Sequence, residues 1–147
     1  MDRAYQTPHL GRAALIATLA LPVLLFGLSM PLAWHHLMLE QPVGAIRVIN
    51  GIDGASWLIV IAVVALYLLV RVLLKRAGFY TKWLMTLTSL VLVIGMFADY
   101  IDWQSRASQI QGLDYKPAYF GPGFFVALAG AALFITANVL LWRVDLD

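Results

Sequence analysis

The stretch GPGFFVALAGAALFITANVLLW, residues 121–142, decides the fold, and Arg143 closes it. It carries no ionisable side chain, and at about 1.5 Å of rise per residue it is long enough to cross the roughly 30 Å of a bilayer's hydrocarbon. Gly123, Ala127 and Ala131 recur every four residues along it, with Gly130 adjacent. Small residues at that spacing let two helix backbones approach closely, so this face is predicted to pack against another helix, within the chain or in a neighbouring copy. Trp142 stands at its edge, where an indole's apolar body and single N–H donor suit the boundary between hydrocarbon and headgroups.

Three further apolar runs of the same kind precede it. Their predicted limits are about 13–35, 54–74 and 79–100, with the last span at 121–142 and outer loops at about 36–53 and 101–120. Each of the five tryptophans, Trp34, Trp57, Trp83, Trp103 and Trp142, falls near the edge of one run. The chain is 62% hydrophobic and only 12% charged, well outside the mix of a soluble domain, and its 147 residues leave no room for a separate soluble module. The expected fold is an all-α integral membrane protein, a single domain of four transmembrane helices in an up-down bundle. The run from Ala13 to Ala33 is longer than the core of a signal peptide and Pro31-Leu32-Ala33 is a poor cleavage site, so it is read as a retained helix, kinked near Pro22.

Basic residues set the orientation. Arg3, Arg12, Arg71, Lys75, Arg76, Lys82 and Arg143 fall on one side of the predicted spans, and Arg47, Arg106 and Lys116 on the other. The positive-inside rule then places both termini and the Lys75-Arg76 turn in the cytoplasm, with the protein in the cell (inner) membrane. The formal charge of +2 is explained by this asymmetry, and no nucleic-acid partner is expected. The two halves share a plan: a span, an outer loop, a glycine-marked re-entry (Gly51 to Gly54, Gly121 to Gly123), and a span ending in Arg-Val. Two pseudo-repeated helical hairpins would give that plan.

Cysteine is absent, which removes disulfides, thiolate metal sites and cysteine nucleophiles. No nucleophile elbow, P-loop, dinucleotide fingerprint or metalloprotease motif occurs, so catalysis has no support. The spans hold no histidine at mid-depth to ligate haem and no ionisable group to carry an ion through, and no cofactor beyond lipid contacts is expected. Thr18, Ser29, Thr86, Thr88, Ser89 and Thr136 are expected to bond to carbonyls of their own helices. Four spans with a tryptophan by the first outer loop give a silhouette that resembles the claudins. The cysteine pair expected of that family is missing, and no residue role is carried over.

Two groups of residues remain as functional candidates. His35 and His36 end the first span and Asp99 and Asp102 end the third, a nitrogen and oxygen set of the kind that suits zinc, iron or manganese if those ends meet. Tyr115, Tyr119 and Phe120, among prolines and glycines in the second outer loop, are read either as a contact surface that loses little entropy on binding or as a loop lying flat on the bilayer with its aromatics in the headgroups. The leading expectation is a non-catalytic assembly or accessory subunit, held to itself or to other membrane subunits and to lipids through Gly123, Ala127, Ala131 and those aromatics. The alternatives are a transporter, channel or ligand-binding protein using the outer His/Asp residues, and a cofactor-dependent, quinone-linked redox subunit.

Overall fold

The structure is a computed structural model and describes residues 8–38, 46–110 and 119–143. In chain order its elements are α1 (Pro8–Ser29), β1 (Ala33–Met38), β2 (Ile46–Asn50), α2 (Gly51–Gly54), α3 (Trp57–Leu73), α4 (Phe79–Ile110), β3 (Tyr119–Phe120) and α5 (Pro122–Arg143). α1 packs on α3 and on α5, and α4 packs on the same two helices, so the four long helices close into a ring. Among the described residues three segments are long and apolar enough to cross a membrane: Arg12–Ser29, Phe79–Ser105 and Pro122–Arg143. α3 is as apolar but shorter, at 17 residues.

The core lies along the ring's axis. Leu15, Leu19 and Phe26 of α1, Leu58, Ala65 and Leu68 of α3, Met85 and Leu92 of α4, and Phe134 and Leu141 of α5 are all fully buried. The outward faces are apolar as well: Leu24, Leu28, Val60, Val63, Leu87, Phe97 and Phe125 are all exposed. A helix in water turns a polar face outward; helices apolar all round belong in hydrocarbon. Hydroxyls within the helices bond to their own backbones, Thr88 to the Leu84 carbonyl and Ser89 to that of Met85, as expected of span residues.

The structure departs from the all-α expectation at the end of the bundle opposite the Lys75-Arg76 turn. The first helix stops at Ser29, not His35, because Pro31 lacks an N–H and keeps Met30 out of the helical region. The chain then enters a three-stranded antiparallel sheet in the order β2-β1-β3. Ile46, Val48 and Ile49 give β2 the β-branched content of a strand. α4 runs ten residues past its expected end at Tyr100, to Ile110. Asn50 caps the single-turn α2, its side chain accepting from the Asp53 N–H at 3.1 Å.

Candidate functional site

A bulge in β1 builds the site. Ala33 pairs with Asn50 and His35 with Ile49, so Trp34 is an extra residue between successive partners. In a regular strand neighbouring side chains point to opposite faces. The bulge breaks the alternation and lets Trp34 and His35 both turn inward, at 0% and 4% exposure. Trp34 donates from Nε1 to the Ser29 carbonyl at 2.9 Å, tying the strand back to the end of α1. The Gly121 N–H donates to the Trp34 carbonyl at 2.6 Å, which fixes the entry to α5.

His35 sits among aromatic rings. It stacks on Trp103, with centroids 4.1 Å apart and planes 18° from parallel, and meets Phe120 at 5.4 Å. β3 supplies Phe120 directly opposite, because His35 pairs with Phe120 in the register of β1 and β3. From α4, Asp99 and Trp103 reach the site together, four residues apart and therefore on one helix face. His35 Nε2 lies 3.3 Å from Asp99 Oδ2, and the two side chains are 5% and 12% exposed. The contact is close but is not an aligned hydrogen bond, for Asp99 Oδ2 has no hydrogen-bond partner in that geometry. His35 Nδ1 and Trp103 Nε1 are also buried without a partner. Buried polar groups are nearly always bonded, and leaving one unpaired costs about 1–3 kcal/mol, so three without a protein partner in one cluster set this place apart.

Of the four expected outer residues, His35 and Asp99 meet. His36 is half-buried on β1 and Asp102 is exposed on α4, and among the described residues no group of three or more His, Cys, Asp or Glu converges to hold a metal ion. Phe120 belongs to the site. Tyr119 faces His36 in the strand register, and Tyr115 lies outside the described residues. Gly123, Ala127 and Ala131 are buried within this chain, Gly123 against Trp34. Trp34 and Trp103, expected at the headgroup boundary, are buried inside the protein, because the sheet and the extended α4 enclose them. Trp83 and Trp142 at the opposite end are half-exposed and pack edge to face at 6.0 Å, with Lys82 Nζ 5.7 Å from the centre of the Trp142 ring.

Beside this site an apolar groove of about 560 Å³ runs between α4 and α5, lined by Val93, Met96, Tyr100, Phe124, Leu128 and Ile135 among others. Its end near β3 shares a wall with the His35 site: Tyr100 stacks on Phe120 at 5.7 Å, and Phe124 meets Phe120 at 4.2 Å. Compared with known protein families, curated proteins and solved structures, the chain matches none.

Proposed function

We propose that this chain is a four-span protein of the cell membrane, both termini cytoplasmic, that binds a ligand at its outer end through His35, Asp99, Trp103 and Phe120. The observation that carries this reading is the buried His35–Asp99 contact with three polar atoms left unpaired around it. α3 supports a fourth span: its 17 residues extend about 26 Å, close to the hydrocarbon thickness, and its outward face is apolar. The accessory-subunit reading has less support, because the small-residue face on which it leaned packs against this chain's own Trp34 and Phe26.

Native mass spectrometry of the full chain released from mild detergent tests the reading. The wild type is expected to retain a non-protein adduct, and His35→Ala to lose most of it while keeping the helical circular dichroism signal. Equal adducts in both proteins, or none in either, overturns the proposal. The same spectra report the number of copies per complex.

A further inference from the structure

The outer site and the apolar groove are joined by Phe120, Phe124 and Tyr100, and each supplies what the other lacks. The site has polar atoms without partners; the groove has space and almost no polarity. Resting on the ligand-binding reading above, we infer that the two form one site for a quinol-type lipid: a flat ring bearing a hydroxyl, on a hydrocarbon tail. The hydroxyl sits at His35, Asp99 and Trp103, and the tail lies along the groove between α4 and α5.

The chemistry of the unpaired atoms selects the head. Trp103 Nε1 can only donate, so it needs an acceptor. A neutral His35 that keeps its Nε2 proton toward Asp99 presents Nδ1 as an acceptor, which needs a donor, as does Asp99 Oδ2. A hydroxyl is both. The walls select a flat carrier for it, since Tyr100, Phe120 and Phe124, where the groove meets the site, offer aromatic faces for another ring to pack on. A phosphate head fits poorly, for the fixed charge placed at the site among the described residues is the Asp99 carboxylate. The groove selects the tail. From Phe124 to Ile135 it follows α5 for about 16 Å, and an apolar cleft of its volume with a few polar groups converging at one end has the form of a small-molecule site.

The test loads the full chain in phosphatidylcholine nanodiscs with a decyl-tailed benzoquinol at fixed mole fractions and reads bound quinol by native mass spectrometry. Tailless benzoquinol and decane serve as comparison ligands. The tailed quinol is expected to bind the wild type at least about tenfold more tightly than either comparison ligand. Trp103→Phe, which keeps the ring and removes the donor, and Ala132→Phe, which fills the groove, are each expected to weaken it about tenfold. Ile135→Trp is a second groove-filling variant, and circular dichroism checks that each variant folds. Binding of the tailed quinol that neither groove variant weakens overturns the inference. So does binding no tighter than that of decane. If a His35-dependent adduct persists in native spectra while the quinol fails, the ligand site stands and its quinol assignment falls; if no adduct depends on His35, both fall.

Discussion

A Cβ placed on Gly123 would lie 2.6 Å from Trp34 Cδ1, and one placed on Gly51 2.6 Å from Trp34 Nε1. Trp34 is fully buried, and its own backbone is pinned by the hydrogen bond from Gly121, so the indole has little freedom to withdraw. Gly123→Ala is therefore expected to destabilise the protein by about 1–3 kcal/mol, the usual penalty for overpacking a tight core. Gly27 makes the opposite case. A Cβ there meets nothing within 4 Å, and the residue lies inside α1, where alanine is the better helix former by about 1 kcal/mol. Thermal unfolding in one detergent should rank the proteins Gly27→Ala, wild type, Gly123→Ala, from most to least stable. If Gly123→Ala melts with the wild type, Trp34 is not held as tightly as its contacts indicate. The glycines were legible in the sequence as two matching re-entry marks. That both marks close on one buried tryptophan was not, because the contact joins residues from three separate segments.

The turn between α3 and α4 shows an element stopped by geometry that glycine normally supplies. Lys75 has φ 56°, its N–H donates to the Val72 carbonyl at 3.2 Å, and the Arg76 N–H donates to the Arg71 carbonyl at 2.9 Å. These are the paired bonds of a Schellman helix end, with a lysine at the left-handed position. Arg71 adds two bonds to the Arg76 carbonyl, at 3.0 and 2.8 Å, and Arg12 reaches over from α1 to the Leu73 carbonyl at 2.9 Å, so cations complete the helix end. Lys75→Gly relieves the left-handed strain but gives the unfolded chain more freedom, and the net gain is expected to be at most about 1 kcal/mol. Lys75→Val, branched at Cβ, should lower the melting temperature instead; a valine variant as stable as the glycine one would argue against the left-handed turn. The helices were readable because hydrophobic length signals them directly. The three-stranded sheet is not legible in the same way, although Pro31 and the β-branched Ile46, Val48 and Ile49 carry local signals for it. A first helix that continues to His35 leaves no place for the bulge that turns Trp34 and His35 inward together. Tryptophan at a span edge has two readings, headgroup anchor or buried wall. Trp34 and Trp103 follow the second, while Trp83 and Trp142 stay half-exposed, and only the packing of β1, β3 and the extended α4 separates the two pairs.

At the scale of the whole molecule the ring of four helices raises one question that decides everything outside it: whether α3 crosses the membrane. If it does, the sheet and the His35 site share one side, and Arg12, Arg71, Lys75, Arg76, Lys82 and Arg143 gather on the other, as the charge bias requires. If α3 only enters and returns, Asp53 and Lys75 lie on the same side, although they stand at opposite ends of that helix. Each of those two residues is exposed, and the chain contains no cysteine, so a single introduced thiol is a unique label at either position. In intact cells a membrane-impermeant maleimide is expected to modify Asp53→Cys. Lys75→Cys should react only after the membrane is opened. Labelling of both from outside, or of neither, removes the fourth span and with it the argument that His35 opens to the outer leaflet. The opposite pattern, Lys75→Cys labelled and Asp53→Cys protected, keeps four spans but inverts the protein. The basic residues would then face outward, and a quinol would enter the groove from the inner leaflet.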